Sequence, residues 1–465
     1  MDASFHIFFV SSGCQSNNNN EIIPPVDTIK PILSSGTIKV STISETNVKL
    51  EWVPAADDQA TVLQYLAYYS YANNINSVTE IEQNGIPVGE FESDITSKSI
   101  NISLERTYYY NVIVKDSAGN KASYNMSADQ WTTFKDSIRL EVANFEEYHT
   151  PQRQQLAIMG WEDGVHISRD GLHLYCTYIP LDFLSVILAD PPLMPEEFAP
   201  YRRGPSFGMD FQTNPLSDYE WIHSDILYTN RGSTSEPFEK WTLSNMARAF
   251  YSEEAPFALF DGSGIEIMTF TSNDTPDPYK QDIRIIEDTE YNPTGLGSSI
   301  SDYVNSVASH EDNPHIERLN SSNLVLFFDS EDRPGGYGYH DIWYSTSSDN
   351  GDTWAVPENL SSLNTDVTDH QPHLYKDNAG DWYLYFSFYH TDGKLAIFRA
   401  KLMDNNNWDS FGPRDLVISS GNAAGIGDPT LTSNGDISFV VVYDNPEGSS
   451  TNRYDADPWI LLKKM

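Results

Sequence analysis

The sequence predicts an all-β chain, a β-sandwich followed by a five-bladed β-propeller. Three observations predict it. Short alternating or continuous apolar runs, rich in Tyr, Trp and Phe and closed by turn residues, recur along most of the 465 residues. Five later segments start alike: Glu162-Asp163-Gly164-Val165, Glu253-Glu254-Ala255-Pro256, Glu311-Asp312-Asn313-Pro314, Asp369-His370-Gln371-Pro372 and Ile426-Gly427-Asp428-Pro429. Their last positions, 165, 256, 314, 372 and 429, lie 91, 58, 58 and 57 residues apart, which sets a repeat length. Finally, the chain ends after the third strand of its fifth repeat. One strand must therefore come from the start of the domain to close the ring.

Bulk composition narrows the partners. Lys plus Arg is 28 against 67 for Asp plus Glu, a net charge of −39. That excess argues against nucleic acid or an anionic membrane surface, and leaves cations, proteins and neutral polymers such as glycans. It also suits salty or extracellular surroundings. Two cysteines, Cys14 and Cys176, build neither a disulfide framework nor a Cys-based zinc site. No phosphate loop, nucleotide fingerprint or Ser-His-Asp signature is present.

Residues 1–34 read as a leader and a polar, Pro-punctuated tether, from Asn17-Asn18-Asn19-Asn20 through Pro24-Pro25 to Pro31. Phe5-His6-Ile7-Phe8-Phe9-Val10-Ser11-Ser12-Gly13-Cys14 resembles the cleavage region of a bacterial lipoprotein signal. The resemblance implies lipidation at Cys14, membrane contact only through that lipid, and a place in the bacterial cell envelope or outside the cell.

Residues 35–134 carry about seven strand candidates, among them Val48-Lys49-Leu50-Glu51-Trp52 and Tyr108–Val114. Trp52, Leu104 six residues before Tyr110, and Tyr110-Asn111-Val112-Ile113-Val114 resemble a fibronectin type III domain. That implies a spacer or adhesion module, with Trp52 and Tyr110 in its core.

Residues 135–465 hold the propeller. Each repeat start leads to a second strand, such as Leu324–Phe328, and a third, such as Asp341–Tyr344. Ile138-Arg139-Leu140-Glu141-Val142 is the expected closing strand of blade five. The long first interval places an insertion at about 179–221, apolar from Leu181 to Leu188 and carrying Arg202-Arg203, the one Arg pair in the chain. That pair could clamp an anionic ligand, or neutralise nearby carboxylates. Residues 341–386 resemble the propeller repeats of the Tol-system periplasmic protein type. Ser347-Ser348-Asp349-Asn350-Gly351-Asp352-Thr353-Trp354 matches the sialidase Asp-box, which implies a structural turn and not a sialidase.

The innermost strands of a propeller line its axis, so equivalent positions form a ring. Asp163, Glu254 and Asp312 fall on it, with His370 and Asp428 as further ligand-binding positions, and His166, His315 and His373 lie three residues on. Five-bladed glycoside hydrolases place three acids this way, so a resemblance to them implies Asp163, Glu254 and Asp312 as catalytic residues. No cofactor is required, although such a ring could hold calcium. Because the acidic pair recurs in nearly every blade, it also reads as a repeat feature making turn hydrogen bonds. The leading expectation is an envelope-anchored, non-enzymatic scaffold binding a protein or glycan; the alternative is a glycoside hydrolase.

Overall fold

The computed structural model describes residues 27–464 apart from 45, 104–105, 144–145, 195–196, 208–222, 249–250, 261–265, 276–279 and 288. Cys14 and Leu104, and with them the lipidation and one motif position, lie outside the described residues. No helix among them is long and apolar enough to cross a membrane.

The N-terminal unit packs two antiparallel sheets face to face. One holds Ile38–Ser44, Asn47–Trp52 and Ser97–Asn101; the other is built on Gln64–Ser70 and Tyr109–Lys115. Period-two alternation drives the packing: Val48, Leu50 and Trp52 on one sheet meet Tyr65, Tyr110, Val112 and Val114 on the other. Trp52 and Tyr110 are both buried.

A short helix, Gln130–Asp136, capped by Asp129, leads into the propeller. Lys135 on this helix is fully buried, with its Nζ 2.5 Å from Asp455 and 2.7 Å from Asp457 of blade five. Trp131 Nε1 donates to Asn452, and Thr107 of the sandwich donates to the Ala157 carbonyl. The two units are thus joined by buried polar contacts at one rim.

Five four-stranded blades follow. Their innermost strands are Trp161–Ile167, Glu253–Phe260, His310–Arg318, His370–Lys376 and Gly425–Leu431. Apolar runs such as Leu324–Phe328 are buried on both faces because each blade is covered by its neighbours. The Asp-box forms a tight turn: Asp349 accepts from the Thr353 amide and hydroxyl, and Trp354 enters the core between blades two and three.

Ring closure differs from expectation. Glu141–Val142 adds to the outer edge of blade four, pairing with Ile418 and Ser419. Gln152–Arg153 supplies the fourth strand of blade five, against Trp459 and Ile460. The apolar alternation at 138–142 marks a strand but not the edge it joins. Gln152–Arg153 has no such alternation; Arg153 is drawn in by charge, 2.9 Å from Asp136 and 3.5 Å from Asp457.

The insertion links the second and third strands of blade one. Its short helix, Phe183–Ile187, is capped by buried Asp182, whose carboxylate also accepts from the Arg453 and Tyr454 amides of blade five. It therefore ties blade one to blade five.

Candidate active site

Each innermost strand carries the same defect. The pairing register slips between Asp163 and His166, Glu254 and Phe257, Asp312 and His315, His370 and His373, and Gly427 and Thr430. The third residue of each repeat start is left-handed: Gly164 (φ 52°), Ala255 (46°), Asn313 (51°), Gln371 (58°) and Asp428 (54°). Such a bulge re-aims the side chains around it, while the two members of each pair, successive residues of the strand before it, point to opposite sides.

The first members turn away from the axis and bury. Glu162 accepts from the Ile158 amide and from Trp241. Glu253 accepts from the Arg248 amide and guanidinium. Glu311 accepts from the Ser306 amide, Ser309 and Arg333, and Asp369 from the Thr365 amide and hydroxyl. Four blades thus repeat one device: a buried carboxylate closes the loop four or five residues before it. These acids are structural.

The second members, Asp163, Glu254, Asp312 and His370, are only partly covered and converge on the axis. Asp163 accepts from the Trp161 indole (2.9 Å) and the Gly164 amide (3.0 Å). Glu254 accepts from Ser224, and Asp312 from the Asn313 amide (2.8 Å) and Thr271 (3.3 Å). Asp428 hydrogen-bonds the Asp163 carboxyl and the Gly164 amide. His370 faces Asp329 and Asp163, and burial pushes its pKa down to about 4.

The carboxyl groups differ in proton affinity. Asp312 is held well above the ordinary range, first by burial and then by the charges of Asp329 and Glu254. Asp428 is likewise raised by burial and by Asp163 and Asp312. Burial pushes Asp329 the same way, but the charge of His340, whose Nδ1 lies 3.7 Å away, and the Gln371 amide outweigh it and hold Asp329 low. Asp312 therefore holds a proton more tightly than Asp329 does.

Beneath the acids, His166, Phe257, His315, His373 and Thr430 fill the channel, leaving an axial cavity of about 40 Å³. His315 Nδ1 lies 3.2 Å from His373 Nδ1, and the Leu431 amide donates to His373 Nε2. That bond makes His373 Nδ1 the proton-bearing atom, so His315 accepts there. These histidines plug the channel beneath the acids, which form the floor of a one-sided site.

Arg202 and Arg203 are not brought to this ring. Arg202 lies exposed on the insertion, and the guanidinium of Arg203 donates to the Arg202 carbonyl and faces Asp182 and Asp455. Sequence reasoning missed Asp329, His340, Asn313 and Gln371. One signal was available: Thr177, Thr271, Asp329 and Ser387 occupy equivalent second-strand positions opposite Asp163, Glu254, Asp312 and His370, each a polar residue in an apolar run. Among the described residues, the axial acids form no group of three with ligand atoms within 4.8 Å of one another. Asp27, Asp57 and Asp116 of the sandwich do form such a group.

No family model and no curated protein matches the chain. Solved structures similar in fold include the endo-arabinase from Bacteroides thetaiotaomicron (13% identity, 69% of this chain and 97% of that one, TM-score 0.39). They include the α-L-arabinofuranosidase from Podospora anserina in complex with cellotriose (9%, 66% and 91%, 0.38). A protein of unknown function from Dyadobacter fermentans is similar over 94% of this chain and 98% of its own, at 10% identity and a TM-score of 0.39. At these identities the likeness is one of fold, all-β with a propeller. The expectation of a non-enzymatic scaffold is corrected: two of these structures are named as an arabinase and an arabinofuranosidase. In this chain the second acids do not close the preceding loops as the first acids do, although Asp163 and Asp312 each accept from the amide of the next residue.

Proposed function

We propose that this protein is a glycoside hydrolase whose reaction centre is the axial ring of Asp163, Glu254 and Asp312. The observation that supports it is the meeting of carboxyl groups from separate blades on one axis, with Asp312 among them held well above the ordinary carboxylate range. Hydrolysis of an acetal needs one carboxyl that gives a proton and one that takes one.

Asp312, which keeps its proton, is the general acid: it protonates the leaving oxygen as the C–O bond breaks. Asp163 is the opposing carboxylate. Asp428, the proton-bearing partner of that pair, donates to Asp163 and fixes its orientation, and Asp163 acts on the anomeric carbon or on its attacking water. Glu254 adds negative charge that helps Asp312 hold its proton and that faces the positive charge developing on the sugar ring. The catalysis requires no metal in this scheme.

The test is turnover of a panel of aryl glycosides and soluble polysaccharides. Wild type should release sugar from at least one, and Asp163→Asn and Asp312→Asn should each lower kcat about 10²- to 10⁴-fold. A wild-type protein inert on the whole panel would sink the proposal.

The fibronectin-like sandwich is a spacer in this scheme, and Cys14 is the lipid-bearing residue that places the enzyme in the cell envelope. Metabolic labelling with palmitate should mark the wild-type protein but not Cys14→Ser; equal labelling of the two removes the anchor.

A further inference from the structure

The antiparallel order of each blade puts two kinds of loop on the face where the axial acids lie: those entering an innermost strand, and those joining second to third strands. Around blade three these loops present exposed aromatic rings. Tyr303 (62% exposed) lies in the loop entering His310–Arg318, and Tyr337 (58%) and Tyr339 (59%) lie between Leu324–Glu331 and His340–Ser347. Aromatic side chains this exposed, grouped on one face, mark a binding surface.

The backbone beneath these rings is pinned. Arg333 donates to the carbonyls of Tyr303 and Val304 at 2.6 and 2.7 Å, while its other contact is buried Glu311. Asp341, itself buried, accepts from the Tyr337 and Gly338 amides. Gly338 lies so close to the next loop that a Cβ would sit 1.6 Å from the Val367 carbonyl. Rigid loops carrying exposed tyrosines bind with little ordering entropy to lose.

The surface is continuous with the acids. The Tyr339 ring is 4.7 Å from that of His340, which lies 6.0 Å from the His370 ring, with its Nδ1 3.7 Å from Asp329. Its charge is mostly negative: Asp302, Asp332 and Asp366 are exposed on these loops, while of the nearby cations Arg333 is offset by Glu311 and Lys280 donates to the Val307 carbonyl. Like charge repels an anionic polymer, whereas flat rings flanked by carboxylate acceptors suit the apolar faces and hydroxyl rims of uncharged sugars.

We infer that Tyr303, Tyr337 and Tyr339 form an extended platform for a neutral polysaccharide chain, leading over blade three to the axial acids. This rests on the hydrolase reading for its direction, and it adds that the substrate is a polymer without uronate or sulfate groups.

Native electrophoresis of the full chain through gels containing arabinoxylan, arabinan, mixed-linkage β-glucan or polygalacturonate tests it, alongside aryl-glycoside turnover by wild type. At least one neutral polymer should retard the protein and polygalacturonate should not. Tyr303→Ala/Tyr337→Ala/Tyr339→Ala, checked for native circular dichroism, should weaken retardation about tenfold or more, and each single change about 2- to 10-fold. Retardation unchanged in the triple variant, by polygalacturonate alone, or by no polymer overturns the platform, whatever the turnover. Tyrosine-dependent retardation with no turnover keeps the platform and removes the hydrolase. If the triple variant misfolds, the three single variants decide.

Discussion

Asp312 and Asp329 face each other in register on adjacent strands of blade three, and their protons are pushed in opposite directions. The partners explain why. Asp329 accepts from the Gln371 amide at 2.7 Å and from Asn313 Nδ2 at 2.9 Å, with His340 beside it. Asp312 is buried next to that fixed negative charge. Activity needs the protonated form of Asp312, so kcat/KM should fall as pH rises through its raised pKa, above the usual carboxylate range. Removing the neighbouring charge with Asp329→Asn lets Asp312 lose its proton more easily, and the alkaline limb should move to lower pH. A limb that stays in place in the pH–rate profile would separate the two residues. The acids themselves were legible, because repeat spacing alone put Asp163, Glu254 and Asp312 on one ring. Asp329 was not: it closes the apolar run Leu324–Phe328, and its task comes from residues 313, 340 and 371, which meet it only in the fold.

At the level of the strand, the repeated bulge governs the site. Each bulge is latched to a neighbouring blade. The Ala255 amide donates to Thr177 of blade one, Thr271 of blade two donates to Asp312, and the Gln371 amide donates to Asp329 of blade three. The Asp428 amide then donates to Gln371 of blade four, and the Asp428 carboxyl accepts from the Gly164 amide of blade one. The latches run once around the axis and fix the acids relative to one another. The left-handed backbone at these positions favours glycine. Ala255→Gly should therefore be neutral or stabilising by up to about 1 kcal/mol. Gly164→Ala should be destabilising by about 1–3 kcal/mol, because its Cβ would also sit 2.5 Å from the Thr177 hydroxyl. Urea midpoints of the two variants check the pair, and a loss from Ala255→Gly would contradict the strain argument. The repeat motif was visible in the sequence, but the bulge was not. Gly164, Asn313 and Asp428 are residue types that suit a left-handed turn, whereas Gln371 and Ala255 give no local sign of one.

At the scale of the molecule, the junction between sandwich and propeller depends on one buried cation. Lys135 is enclosed with Asp455 and Asp457, and Arg153 completes the cluster from the closing strand. Lys135→Met leaves two buried carboxylates without their partner, which should lower stability by about 3–5 kcal/mol. Calorimetry should show a lower melting temperature, with the sandwich and the propeller unfolding separately. A single transition at the wild-type temperature would mean the cluster is not what joins them. Five blades could be read from the repeat spacing, and the need for a borrowed strand from the three strand candidates of the fifth repeat. Which segment is borrowed could not, since Gln152–Arg153 carries no apolar alternation and Arg153 is held by Asp136 and by Asp457, which meets it only in the fold.

That borrowed strand sets an order of events during synthesis. Gln152–Arg153 leaves the ribosome before any blade exists, yet its partners Trp459 and Ile460 are made only after the other four blades. The early blades can pair locally as they emerge, because their strands are neighbours in sequence. The ring, and with it the spacing of Asp163 from Asp428, stays open until Trp459 and Ile460 have been made. A chain stalled before Trp459 would carry Asp163, Glu254, Asp312 and Asp428 without the closure that fixes their geometry.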